Sequence, residues 1–311
     1  MIFYLFFLIC SVSAFASHTF NEIWAYLMEG EENRLKGDEP ITDLVYFCAR
    51  INPVGHLQSV PDRSKLSGKQ RVHLVVADAH NPSQLYWILT RDRETRQMLI
   101  NEIVQAVRPF DGVNIDFEGI RPDDRESYLS FLRDLRAQLP REKMLTVAVM
   151  ARTAQKNDAF DYPQIAAIAD RVFIMAYDEH WSTSSPGEIA SLAWCQRVAK
   201  YAKKTIPASK LIMGLPLYGR VWQDEAVARA LTYPKTLELL RDVAATVMRK
   251  PDGTGFFSYQ KTVTATAFFE DMHSLSSKLE AYESSGVKAV GFWRVGQGPA
   301  ALWSNLAVFK R

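Results

Sequence analysis

The stretch FDGVNIDFEGI, Phe110 to Ile120, decides how the rest of the chain is read. Side chains in a β-strand alternate between two faces. Val113, Ile115 and Phe117 therefore point one way, and Gly112, Asn114, Asp116 and Glu118 point the other. One face is apolar. The other carries a row of oxygens, with no lysine or arginine inside the strand to neutralise it.

Similar apolar runs lie on either side. In order they are Ile23–Met28, Leu44–Ile51, Val72–Ala77, Gly112–Phe117, Leu145–Met150, Val172–Tyr177, Leu211–Leu215 and Val287–Trp293. Segments of helical period separate most of them. Before the fourth run, Leu99, Ile103 and Val107 share a face with Ile100 and Val104. After it, Tyr128, Phe131, Leu132, Leu135 and Leu139 form one stripe that stops at Pro140. Gly286 stands where a helix C-cap belongs, just ahead of the eighth run. Apolar strands alternating with helices predict a parallel sheet covered by helices, and eight of them predict a closed (β/α)8 barrel. The rival, an open doubly wound sheet, calls for a glycine-rich phosphate turn after the first strand. The segment there, EGEENRLKGDEP, has none, although helices after the first two strands are weakly signalled. Between the seventh and eighth strands the chain is too long for one crossover. A helical stretch from Leu237 to Met248, the turn signal Pro251-Asp252-Gly253 and β-prone flanks predict a small α+β insertion over residues 222–268.

The 311 residues and formal charge of +2 fit a globular barrel domain over 17–311 and show no basic block of the kind that binds nucleic acid. Ile2 to Cys10 is unbroken apolar sequence, and Ala14-Phe15-Ala16 supplies a cleavage pattern ahead of Ser17. Residues 1–16 read as a signal peptide, too short an apolar run to span a bilayer, which predicts a secreted or periplasmic protein. Its n-region lacks Lys and Arg, so a hydrophobic first strand is the alternative. The bulky Leu8-Ile9 disfavours a lipoprotein anchor at Cys10. Cys48 and Cys195 are too few for a disulfide framework and read as two small buried thiols.

In a β/α barrel the chemistry sits at the C-terminal ends of the strands. Asp116 and Glu118 end the fourth strand, with Cα atoms about 6.6–6.8 Å apart on one face. Each charge disfavours ionisation of the other, so one carboxyl of the pair can stay protonated near neutrality. A protonated carboxyl beside an ionised one is what a glycosidic leaving group needs.

At this point the sequence resembles glycoside hydrolase family 18, the chitinase-like family. DGVNIDFE matches its fourth-strand DxxDxDxE through Asp111, Asp116 and Glu118, with Asn114 where many members have Asp. IMAYDEHW, Ile174 to Trp181, is similar to its sixth-strand M-x-Y-D. GLPLYGRVW, Gly214 to Trp222, is similar to G-x-P-x-Y-G-R, and GVKAVGFWRVG, Gly286 to Gly296, to an eighth strand ending in Trp293. The asparagine and the small insertion resemble the branch of spore-cortex and cell-wall lytic enzymes.

The resemblance implies a retaining glycosidase acting on β-linked N-acetylglucosamine glycans, as a monomer and without a cofactor. Glu118 would be the acid and base. Asp116 and Tyr177 would hold the substrate's own 2-acetamido group, which acts as nucleophile. Asp111, Asn114, Met175, Asp178, Tyr218, Arg220 and Trp293 would bind substrate, Trp293 as an apolar floor. Trp181 is equally a sugar-stacking platform or a surface-loop aromatic. His180 has no second histidine at metal spacing, which disfavours zinc. Two other functions compete: a non-catalytic carbohydrate-binding barrel, disfavoured by the presence of Glu118, and a metal-assisted enzyme holding Mg2+ on Asp111, Asn114, Asp116 and Glu118, disfavoured because all four share one strand.

Overall fold

A computed structural model describes residues 17–78, 81–223, 233–249, 255–260, 262 and 265–309. The segment read as a signal peptide, and much of 222–268, lie outside the described residues.

Eight parallel strands follow the eight apolar runs: β1 Glu22–Met28, β2 Asp43–Ile51, β3 Arg71–Asp78, β4 Gly112–Phe117, β5 Met144–Met150, β6 Arg171–Met175, β7 Leu211–Pro216 and β8 Ala289–Trp293. Each pairs with the next, and β1 pairs with both β2 and β8, so the sheet closes into a barrel. Helices α1 Arg93–Ala106, α2 Arg125–Gln138, α3 Tyr162–Ile168, α4 Leu192–Thr205 and α5 Met272–Ser284 cover the outside. Their starts follow from sequence. Asp92, Asp161 and Ser191 each accept a backbone N–H of the first turn, and Asp271 forms a capping box with Ser274. Gly286, at φ +81°, turns the chain out of α5 into β8.

The connections after β1 and β2 are different. They hold single 3-10 turns, Glu32–Arg34 and Arg63–Lys65, and a short strand, Leu57–Gln58, folded back on β2. The weak helical signal there reflects chain that crosses the barrel without a full helix. In the long segment between β7 and β8, the described residues include the helix Tyr233–Asp242 and antiparallel pairs joining Arg220–Gln223 to Ala265–Phe268 and Met248–Arg249 to Gly255–Phe256. No helix of the described residues is long and apolar enough to cross a membrane.

The strand alternation divides the apolar residues into two cores. Val113, Ile115 and Phe117 pack outward under the helices. Trp24, Tyr26, Val45, Val75, Phe173 and Ile212 fill the barrel interior. Phe173 occupies the space that Gly214 and Gly291 leave open, since a Cβ on either would collide with its ring. The N-terminal end of the barrel is closed by charge. Arg71 grips Asp43 through two hydrogen bonds of 2.6 and 2.7 Å, His73 Nε2 lies 2.8 Å from Asp43, and Arg171 binds Glu22. Burial alone would raise the Asp43 carboxyl, but the hydrogen bonds from His73 and Arg71 hold it below the usual range. Cys195 is buried, Cys48 is half-buried, and both are free.

Candidate active site

The opposite end of the barrel gathers the groups singled out from the sequence. Asp116 and Glu118 leave the end of β4 toward the mouth, and the Glu118 N–H is fixed by the Asp78 carbonyl of β3 at 3.0 Å. Asp116 is 6% exposed. Burial, and then the nearby Glu118 charge, push its carboxyl up to about 7. The carboxyl pair therefore carries a proton near neutrality, with Asp116 as a group poised to change charge there.

Tyr177 follows β6 and is half-buried. Burial raises its hydroxyl well above the usual value, and the charges of Asp116 and Glu118 reinforce this. It stays a neutral donor facing the acids. Tyr218, past β7, meets the Tyr177 ring edge-on at 6.3 Å. Its hydroxyl donates to Asp178 Oδ1 at 2.5 Å, and Arg220 binds the same oxygen through Nε and Nη2 at 3.1 and 2.7 Å. Asp178 has φ +56°, a conformation that aspartate tolerates better than most residues. Met175 ends β6 and packs partly buried against the interior core. Trp293, at the end of β8, lies 5.1 Å from both Tyr26 and Phe47, ring centroid to ring centroid. The three rings form an apolar wall beside the acids.

Two residues expected to bind substrate are placed elsewhere. Asp111 precedes β4 at the far end of the barrel. Its carboxylate accepts the Val72 N–H at 2.8 Å, its own N–H binds the Val72 carbonyl, and its carbonyl accepts the Met144 N–H. It staples three strands and lies about five residue rises, or roughly 17 Å, from Asp116. Asn114 is fully buried beneath Asp116 and accepts the Tyr26 hydroxyl at 3.1 Å, so it supports the site from below. Trp181 is 52% exposed, with its indole N–H on Thr183. His180 donates from Nδ1 to the Ser185 carbonyl and packs against Gly187.

Tyr26 and Phe47 went unassigned in the sequence. Both sit in apolar runs where an aromatic reads as core. Alternation from Trp24 and Val45 does put them on the inner face near the C-terminal strand ends, and that was the available signal.

The class these features define is a (β/α)8 barrel with its acid pair on the fourth strand and an aromatic wall completed by the eighth. Residues 2–298 match the model of Glycosyl hydrolases family 18, and the chain belongs to that family. It is similar to the cortical fragment-lytic enzyme of Bacillus cereus, 27% identical over 82% of this chain and 65% of the relative. It is also similar to a class V chitinase, CHIT5, of Lotus japonicus, 23% identical over 72% of this chain and 66% of the relative. The crystal structure of the Bacillus cereus spore cortex-lytic enzyme SleL superimposes with a TM-score of 0.75 at 25% identity, covering 95% of this chain and 76% of that one. The chain spans between about half and two thirds of the length of the first curated relatives it matches.

Proposed function

We propose that this protein is a retaining glycosidase that cleaves β-linked N-acetylglucosamine glycans of chitin or peptidoglycan type with help from the substrate's own amide. The observation that carries this reading is the buried Asp116 beside Glu118 at the end of β4, with Tyr177 just past the end of β6 and near enough for its hydroxyl to feel both charges. Two carboxylates on one strand cannot flank a sugar from opposite sides, as protein-nucleophile and inverting schemes require. They can serve a substrate that brings its nucleophile.

When the acetamido N–H binds Asp116 and holds it ionised, the proton of the pair sits on Glu118, which donates it to the glycosidic oxygen as the bond to the anomeric carbon breaks. The acetamido carbonyl oxygen attacks that carbon from the other face and forms an oxazolinium ion. Asp116 accepts the acetamido N–H and balances the positive charge. Tyr177 donates to the acetamido oxygen and sets its angle. Glu118, now ionised, takes a proton from water as the water opens the ring with retained configuration. Holding the internal nucleophile in place is a proximity effect, which contributes about 7–11 kcal/mol in favourable cases. Trp293 supplies the floor, and Tyr218, Asp178 and Arg220 hold the rim.

The test compares hydrolysis of an N-acetylated oligosaccharide and its de-N-acetylated counterpart, by wild type and by Glu118→Gln. We expect cleavage of the acetylated sugar alone, falling about 10²–10⁴-fold in the variant. Equal rates for the two sugars would overturn the amide's role. The similarity to relatives named for lysis of spore cortex and cortical fragments supports peptidoglycan-type fragments, rather than long crystalline chitin, as the substrate of this chain. Export follows from reading residues 1–16 as a signal peptide. A mature N-terminus at Ser17, found by mass spectrometry of the exported protein, is the expected outcome.

A further inference from the structure

A cavity of about 340 Å³ opens beside the acid pair, between the C-terminal ends of β2 and β3. Phe47, Cys48, Arg50, Ala77, Asp78 and Asn81 are among the residues that line it. Its positive charge comes from Arg50. Ala49 and Ile51 pack into the outer core, so alternation sends Arg50 to the inner side, over the mouth of the barrel. The strand register fixes its distance from the chemistry. Arg50 pairs with Ala77, and Ala77 pairs with Asp116. The three residues stand on one rung, which puts the Arg50 and Asp116 backbones about 10 Å apart. The methyl of Ala77 is all that stands between their side chains on that rung.

Among the described residues Arg50 makes no ion pair. It is exposed, and its contact is the Cys48 thiol, which the guanidinium approaches as a donor. The carboxylate in the same cavity, Asp78, turns one oxygen to the Asn81 N–H at 3.2 Å. A guanidinium presented this way, one sugar's breadth from the reacting centre, suits a carboxylate. Neutral N-acetylglucosamine polymers carry none. In peptidoglycan the lactyl ether on every second sugar ends in a carboxyl that is a free carboxylate where the peptide stem has been removed; where the stem is present that carboxyl is an uncharged amide and the carboxylates lie further out on the stem.

We propose that Arg50 selects glycans bearing a carboxylate on the sugar next to the scissile bond, so that this site prefers stem-free peptidoglycan glycan to chitin. This rests on the glycosidase reading above and assigns it a substrate class. The lactyl carboxylate is the better match, because it hangs directly from the ring and the cavity lies beside the acid pair.

The test uses stem-free peptidoglycan glycan, the same glycan with its lactyl carboxylates converted to methylamides, and stem-bearing fragments, with wild type, Arg50→Gln and Arg50→Lys. The wild type is expected to prefer the acidic stem-free glycan over its methylamide by about tenfold to a hundredfold in kcat/KM, mainly through KM. Arg50→Gln should bring that ratio close to one, and Arg50→Lys should restore part of it. Preference for the stem-bearing fragments over the acidic glycan would move the recognised carboxylate to the stem and overturn the lactyl assignment. A wild type with no preference, or an Arg50→Gln variant that loses both substrates equally, would overturn the role of Arg50 altogether. If the wild type cleaves no glycan, the glycosidase reading fails separately. Arg50 is then judged by calorimetric binding of the acidic and methylamide glycans, and equal affinities for wild type and Arg50→Gln would sink it.

Discussion

Tyr26 on β1 crosses the barrel interior to donate its hydroxyl to Asn114 Oδ1 on β4, 3.1 Å away and 88 residues distant in sequence. The tyrosine is fully buried, braced by Phe173 edge-on at 5.1 Å and by Trp293 at 5.1 Å. One side chain thus links the aromatic wall to the strand that carries the acids. Burial, then the charge of Asp116, raises its hydroxyl well above the usual range, so it remains a donor. Tyr26→Phe keeps the ring and removes the bond, leaving a buried acceptor unpaired. The expected cost is about 1–3 kcal/mol of stability. A fall in kcat should accompany it, because Asn114 sits directly under Asp116. Thermal denaturation and steady-state kinetics on one N-acetylated substrate check both.

Asp116 makes the fold sensitive to pH. Its folded-state value, about 7, lies above the ordinary value of 3.8 because of burial and then the Glu118 charge. Below the ordinary value both states hold the proton and the group is neutral to stability. Between there and about 7 the unfolded chain releases it while the folded protein keeps it, so stability falls as pH rises through that window. Above it the loss is complete, on the order of 4 kcal/mol for a shift of this size. Asp116→Asn removes this group's contribution. Its melting temperature should therefore exceed that of the wild type at pH 8 and converge on it at pH 4. Parallel curves for the two proteins would contradict the burial of an ionisable Asp116.

How much of the fold and site is legible in the sequence depends on what each residue does locally. The eight strands are legible because most barrel strands are buried on both faces, under the helices outside and against the core inside, and so read as near-continuous apolar runs. The acids of β4 were legible because nothing in a strand otherwise explains Asp116 and Glu118. Asp111 was misplaced for a geometric reason: a motif says which residues belong together but not which end of the strand each occupies. Six residues of extended chain separate the floor of this barrel from its mouth, and Asp111 falls on the wrong side. The resemblance puts Asn114 among the substrate contacts, but strand alternation gives the face of a residue and not its depth, and Asn114 lies below the site. Phe47 and Tyr26 stayed hidden because an aromatic in an apolar run looks the same whether it faces a helix or a cleft.

Gly291 is a packing requirement with a catalytic consequence. An added Cβ would collide with the Phe173 ring, and Phe173 braces Tyr26. Gly291→Ala should cost about 1–3 kcal/mol through overpacking. It should also lower kcat, by displacing Phe173 against Tyr26. The double variant Gly291→Ala/Phe173→Leu frees that space and should recover most of the stability. A single variant as stable as wild type would mean that the interior can yield at Phe173.

Two aspartates, one at each end of the barrel, should separate stability from catalysis. Asp43 is fully buried at the floor, where Arg71 and His73 both depend on it. Asp43→Asn removes the charge that Arg71, 43% exposed in its side chain, and the buried His73 both bind, and should cost about 1–3 kcal/mol, with kcat unchanged in the surviving folded protein. Asp178 lies at the mouth, 39% exposed in its side chain, where Tyr218 and Arg220 converge on one oxygen. Solvent screens that pair, so Asp178→Asn should cost no more than about 1 kcal/mol. Asparagine tolerates the positive φ as well as aspartate does, so the substitution isolates the charge. With the carboxylate gone, Arg220 is no longer fixed at the rim and Tyr218 loses its strong acceptor, and KM for an N-acetylated glycan should rise. Melting curves and kinetics on the two variants give opposite patterns if the floor only holds the barrel and the rim holds the sugar. A loss of activity in folded Asp43→Asn as large as in Asp178→Asn would mean that the two ends are coupled through the strands.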